Sequence, residues 1–253
     1  MNDLWQYEKE ALAAGHTSIC GCDEAGAGPL AGPVYAAAVI LPLGVEIDGL
    51  NDSKKLTEKK REALFPVIQE KAAAWAVAWV DAWEIDETDI LSARMKAMQL
   101  AIDQLEPGAD FALIDGNRDH GRSAAILTPH RCLVKGDSLS ASIAAASILA
   151  KVSRDRWMVK AAEEYPEYQF QKHKGYGTKL HYELLRTYGP SPIHRRSFLK
   201  NLCAGRRAAA WGAGGRIWRP PFWRKRAVGS WTETGSAASG NWTWWRRAAA
   251  FSD

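Results

Sequence analysis

Asp23-Glu24, Asp115 and Asp137 are the residues whose type and placement best suit catalysis. The first pair follows the short apolar run Thr17–Cys22, Asp115 follows the buried-looking run Phe111–Ile114, and Asp137 precedes a long helical pattern. Carboxylates that end several strands of one sheet can converge at its edge and hold hard divalent cations. Two such cations about 4 Å apart can activate a water and stabilise the leaving oxygen of a phosphodiester. An aspartate ending one strand is ordinarily a turn former, so this chemistry rests on convergence and not on any single residue. A glycine-dense segment, Ala25–Pro33, lies directly beside the first pair and lets backbone amides approach a ligand closely.

The elements that must position these groups are legible from pattern. Thr17–Cys22, Val34–Leu41, Trp75–Val80, Phe111–Ile114 and Arg131–Val134 have the length and apolar character of strands. Thr57 can cap a helix running to Lys71, with a kink expected at Pro66. Glu84–Leu105 carries a broad apolar stripe that includes Met95 and Met98, a core face and not a cofactor box. Ser138–Tyr165 is a long helix with a small-residue face (Ala141, Ala144, Ala145, Ser147), and Thr178–Tyr188 is a last clear helix. Strands alternating with helices predict an α/β fold with a mixed central sheet flanked by helices, a C-terminal helical segment and an irregular tail.

Composition limits the alternatives. The 253 residues suit a core-bearing globular chain, and no run approaches the roughly 20 apolar residues of a membrane span. Asp3, Glu8 and Glu10 argue against a signal peptide, so a cytoplasmic location is expected. Cys20, Cys22, Cys132 and Cys203 are too few and too scattered for a disulfide framework, and buried free thiols are expected. The net charge of +4 misleads: residues 204–253 hold 9 of the 33 basic and 2 of the 29 acidic residues, so the preceding 203 are net acidic. The basic pI is therefore no evidence that the main unit binds nucleic acid.

Seven blocks, in order, resemble the ribonuclease HII family, the bacterial type 2 ribonucleases H. They are Asp23–Pro33 (DEAGAGPLAGP), Leu50–Leu56 (LNDSKKL), Leu113–Asn117 (LIDGN), Val134–Asp137 (VKGD), Ala144–Asp155 (AAASILAKVSRD), His173–Thr178 (HKGYGT) and His194–Phe198 (HRRSF). The resemblance spans roughly residues 15–200. It implies a ribonuclease H-like fold and an endonuclease, active on RNA–DNA hybrids and on ribonucleotides embedded in duplex DNA, that leaves 5′-phosphates. It also implies Mn²⁺ or Mg²⁺ as cofactor and a monomer. Asp23, Glu24, Asp115 and Asp137 match the family's metal-binding carboxylates. Gly26-Ala27-Gly28 matches the loop whose backbone reads the ribose 2′-hydroxyl, the group that separates RNA from DNA, and Tyr176 matches the tyrosine that stacks on that sugar. Lys54, Lys151 and Lys174 are candidate phosphate contacts, with a solvated surface charge as the alternative for each. One departure stands out: the family's loop carries Arg between its glycines, where this chain has Ala27. That change is expected to weaken phosphate binding and to spare hydroxyl recognition. The type HIII relative is disfavoured because the signature begins at Asp23, leaving no room for a platform domain. Another two-metal nuclease of the same superfamily, or a catalytically weak hybrid-binding protein, are the competing readings.

His16, His120, His130 and His181 lack mutual metal spacing and are expected at the surface or in loops, while His194-Arg195-Arg196 suits either nucleic-acid contact or capping of the last helix. Residues 1–203 are read as the catalytic domain. Residues 204–253 hold 7 of the 12 tryptophans without periodicity. Three readings are open for this tail: an out-of-frame translation of neighbouring coding sequence, a disordered extension, or a stacking arm for single strands. The first is favoured, because shifting the frame of its tryptophan codons yields a nuclease-like motif.

Overall fold

A computed structural model describes residues 4–50, 53, 56–116, 126–199 and 229–231. Its centre is a mixed sheet in the order β5-β4-β1-β2-β3-β6. β1 (Ile19–Ala25) pairs antiparallel with β2 (Val34–Ile40) and parallel with β4 (Phe111–Asp115). β3 (Ala74–Val80) extends the sheet antiparallel from β2, and β5 (His130–Leu133) extends it parallel from β4. Every residue of β2 is buried, as expected of a strand covered on both faces.

Two helices make those covers. α5 (Ala141–Glu164) lies on one face, where Ala145, Ala146, Ile148 and Leu149 pack with Ala37, Val39 and Val77. It approaches so closely that a Cβ on Gly21 would fall 2.2 Å from the backbone of Ser142 and Ile143. α4 (Ile90–Ile102) covers the other face, packing Ala97, Met98 and Ala101 with Ala36, Ala38, Ala76 and Ala78. The small side chains of the sheet let both helices sit close, and Met95 and Met98 are core residues as expected. α2 (Glu58–Lys71) runs through Pro66 and is capped by Thr57, whose hydroxyl accepts from the Lys60 amide. Beyond α5 follow the short α6 (Phe170–His173) and α7 (Lys179–Tyr188), the C-terminal helical segment. Among the described residues no helix is long and apolar enough to cross a membrane.

The structure departs from the pattern in four places. The apolar stripe Glu84–Leu105 is broken into α3 (Ala82–Glu87) and α4. Asp89 is fully extended (φ −159°, ψ 162°), and its carboxylate caps α4 through the Leu91 and Ser92 amides. An unexpected α1 (Gln6–Ala13) precedes the sheet, and its buried Glu8 accepts from Ser140 Oγ (2.6 Å) and the Ser142 amide (3.1 Å) at the start of α5. A carboxylate at a helix N-terminus complements its dipole. Cys20 and Cys22 are buried thiols, but Cys132 is exposed because it lies on β5, the outermost strand. Cys203 falls outside the described residues. Finally, Gly229–Trp231 of the tail forms β6, antiparallel to β3 with Val77 opposite Trp231, whereas an irregular tail was expected. β3 would otherwise end the sheet with an open row of backbone donors and acceptors, which any short extended segment can pair.

Candidate active site

Strand alternation determines which carboxylates meet. Along β1, Cys20 and Cys22 pack on the α4 side, whereas Ile19 and Ala25 pack on the α5 side. Asp23 shares the parity of Ile19 and Ala25 and faces α5. Along β4, Ala112 and Ile114 belong to the α4 side and Leu113 to the α5 side, so Asp115 also faces α5. The parallel register sets Cys22 beside Ile114, which brings the two aspartates together at the carboxyl ends of neighbouring strands.

Asp137 completes the group. It sits in a 3₁₀ turn (Gly136–Ser138) just before Ser140 caps α5 by accepting from the Ile143 amide. Lys135 is left-handed (φ 56°), and the Gly136 amide donates to Asp115 Oδ1 at 2.7 Å, locking the turn to the end of β4. One carboxylate oxygen from each of Asp23, Asp115 and Asp137 lies within 4.8 Å of the others, and Asp23 and Asp137 are buried. Three carboxylates are a purely hard donor set, and converging them without a cation would be costly. The residues therefore fit a divalent ion of the Mg²⁺ or Mn²⁺ type.

Glu24 is not in that group. As the next residue of the same strand it points to the α4 face, where Oε1 lies 2.8 Å from Arg94 Nη2. Of the four carboxylates singled out in the sequence, three converge and the fourth is held by an arginine behind them.

The glycine loop, residues 26–33, lies beside β1. Gly26 has φ +95°, and a Cβ there would lie 2.0 Å from Arg154 Nε, so both backbone and space require glycine. Gly28 is exposed and Ala27 half-buried. The loop is braced from across the chain: the Leu30 amide donates to Gly175 O, the Gly32 amide to Ile193 O, and the Arg195 amide to Leu30 O. The first of these bonds puts the turn carrying Tyr176 against the loop. The Tyr176 ring is 41% exposed and lies 5.7 Å from Lys151 Nζ and 5.6 Å from Arg154 Cζ. Lys151 is engaged by Asp155 (2.6 Å), and Lys174 Nζ donates to Gln171 O and lies 3.8 Å from Glu58. Both lysines are thus near Tyr176 but already partnered. Lys54 and His120 lie outside the described residues.

Sequence reasoning missed the buried polar residues beneath this surface. His181, expected at the surface, is fully buried: it shares the inward stripe of α7 with Leu185, four residues on, and its Nε2 is 2.9 Å from His194 Nε2. The Ser191 amide donates to His194 Nδ1, so His194 carries its proton on Nε2 and donates it to His181 Nε2. His181 then carries its own proton on Nδ1 and donates to the carbonyl of Tyr176 (2.9 Å). Burial and the neighbouring imidazole drive His194 down to about 3, and burial drives His181 down to about 4, so both are neutral at physiological pH. Arg154 and Arg195 are also fully buried. Arg195 neither caps the last helix nor faces solvent; it is engaged by loop carbonyls. Burial and the nearby Arg154 charge lower its guanidinium to about 9, which leaves it protonated at neutral pH.

Comparison with known proteins agrees with this arrangement. The ribonuclease HII family model matches residues 20–201. A ribonuclease HII of Ruminiclostridium cellulolyticum is 50% identical over 201 residues, covering 79% of this chain and 77% of the relative. One from Idiomarina loihiensis is 56% identical over 180 residues, 71% of this chain and 94% of the relative. Among solved structures, the ribonuclease H2 of Pyrococcus horikoshii superposes with a TM-score of 0.61 at 27% identity, covering 72% of this chain and 93% of that one. With a matching sheet, a converged carboxylate group and a family model spanning the folded core, the chain belongs to the ribonuclease HII family and is a ribonuclease H of RNA–DNA hybrids.

Proposed function

We propose that the chain cuts the RNA strand of hybrids, and incises at ribonucleotides embedded in duplex DNA, through a centre built on Asp23, Asp115 and Asp137. The observation that carries this reading is the convergence of those three carboxylates, from two adjacent parallel strand ends and the turn before α5. Bound Mg²⁺ or Mn²⁺ supplies the charge that activates a water and stabilises the leaving oxygen. Asp23 and Asp115 act from the sheet edge, and the Gly136 amide holds Asp115 in orientation. Glu24 is proposed as the fourth carboxylate of the centre, in balance with its Arg94 ion pair.

Substrate selection is assigned to the loop and to Tyr176. The amides of residues 26–28 approach the sugar, and the half-exposed Tyr176 ring, set against the loop, stacks on it. Lys151, Lys174 and Lys54 contribute positive charge toward phosphates, the first two by exchanging their present carboxylate partners. Cleavage of a duplex containing one ribonucleotide, tested beside an all-DNA duplex, checks the assignment: a single cut at the ribonucleotide supports it, and no cut of that duplex contradicts it. We place the boundary of this nuclease unit at residue 203, two residues beyond the end of the family match. The unit is proposed to act as a monomer in the cytoplasm.

A further inference from the structure

We infer that Arg195 is a positioning residue for ribose recognition: its buried guanidinium turns two loop carbonyls inward and thereby aims the Ala27 and Gly28 amides at the substrate. Its Nη2 donates to the Gly26 carbonyl (2.7 Å), Nη1 to the Ala27 carbonyl (3.0 Å) and Nε to the Gly32 carbonyl (2.9 Å). In a trans peptide the C=O and N–H point in opposite directions, and among the described residues the one cis bond is Glu106–Pro107. Holding the Gly26 carbonyl inward therefore turns the Ala27 N–H outward, and holding the Ala27 carbonyl inward does the same for the Gly28 N–H. Neither amide donates to another described residue. Gly28 is exposed, so its N–H is open to a ligand.

The chemistry requires arginine. A planar fork reaches three carbonyls at once, whereas a lysine ammonium is a single point charge on a flexible stem. Beyond the single bridge Ala31–His194 and the bond from the Arg195 amide to the Leu30 carbonyl, the loop has no ladder or helix to satisfy its carbonyls, and buried ones are costly unless paired. A second buried guanidinium extends the clamp: Arg154 donates to the Ala31, Pro33 and Lys174 carbonyls at 3.2, 3.2 and 3.1 Å, with its Cζ 5.6 Å from the Tyr176 ring. Six loop and turn carbonyls are thus gathered on two cations, so the amides at 27 and 28 and the Tyr176 ring share one rigid base. The inference rests on the proposal that this loop reads the 2′-hydroxyl.

The test compares binding of the full chain, with metal chelated so that nothing is cut, to a duplex carrying one ribonucleotide and to the same duplex in all-DNA form. Arg195→Lys should lower the preference for the ribonucleotide duplex by about three- to tenfold, the size of one hydrogen bond. Binding of the all-DNA duplex, which phosphates dominate, should be unchanged. An unchanged preference in a folded variant overturns the inference. A wild-type chain with no preference at all overturns the loop reading itself, and the clamp's role with it. If Arg195→Lys does not fold, amide hydrogen exchange on the wild-type chain decides. The Ala27 and Gly28 amides should exchange rapidly when free and become protected by the ribonucleotide duplex but not by the all-DNA duplex. Protection already present in the free chain, or equal with both duplexes, overturns the inference.

Discussion

Asp23 and Asp115 stand side by side because Cys22 and Ile114 are the last register partners of the parallel pair β1–β4, and each aspartate is the next residue on its strand. The adjacency therefore comes from backbone hydrogen bonding across 92 positions of sequence and not from any local motif. It makes the site sensitive to single side chains while leaving its scaffold robust.

Tyr176→Ala should reduce cleavage at a single embedded ribonucleotide more than cleavage within a continuous RNA strand. In the first substrate the sugar is read at one place; in the second, neighbouring sites substitute. A several-fold larger loss of kcat/KM on the single-ribonucleotide duplex is expected. Equal losses on both would assign Tyr176 a general structural role.

Ala27→Arg should add a phosphate contact. Residue 27 is half-buried next to exposed Gly28, and its carbonyl is already held by Arg195, so the new side chain can extend without remodelling the loop. Hybrid affinity should rise, and the slope of log affinity against log salt should steepen by about one charge. Unchanged affinity and slope would mean that another cation already fills the role.

Stability should fall on acidification because His181 and His194 are neutral in the fold. Their folded values, about 4 and about 3, lie below the ordinary 6.5. A depressed folded value gives stability that is fully present above the unfolded value and lost as pH falls through the folded one. Both histidines therefore make folding less favourable as pH falls from 6.5 toward 4, while Asp81, whose carboxyl burial raises to about 7, acts in the opposite direction over the same window. Urea titrations at pH 7, 6, 5 and 4.5 should show this decline, and His194→Asn should make it shallower. A profile whose slope is the same in His194→Asn as in the wild-type chain contradicts the neutral relay.

Much of this arrangement was legible in the sequence. The strands follow from apolar runs, α5 and α7 from helical patterning, and Asp23 and Asp115 from runs that end in acidic residues; Asp137 stood out before the long helix, and Gly26 through the family resemblance. The direction of Glu24 was also available, since consecutive strand residues face opposite sides, but its Arg94 partner lies 70 positions away. What stayed hidden depends on distant partners. The Arg195 fork reaches back to Gly26, and Glu8 reaches Ser140. The break at Asp89 was masked because the stripe on either side keeps helical period, and only the cap itself, made by a side chain, ends one helix and starts the next.

Deleting residues 204–253 should leave hybrid cleavage intact. The deletion removes β6 and reopens the edge of β3, which is separated from Asp23 on β1 by β2 and from Asp115 on β4 by β2 and β1. Cleavage assays on the truncated chain check this: activity within about twofold of full length is expected, and a folded but inactive truncation contradicts the boundary at residue 203.

The most direct test of the central claim is Mn²⁺ binding by calorimetry, paired with hybrid cleavage, for the full chain and for Asp115→Asn. If Asp115 holds the ion together with Asp23 and Asp137, oriented by the Gly136 amide, losing its charge should weaken Mn²⁺ binding at least tenfold and abolish detectable cleavage. Binding of the hybrid itself, carried by phosphate contacts, should largely persist. Undiminished Mn²⁺ binding, or cleavage at the wild-type rate, would contradict a centre built on these three aspartates.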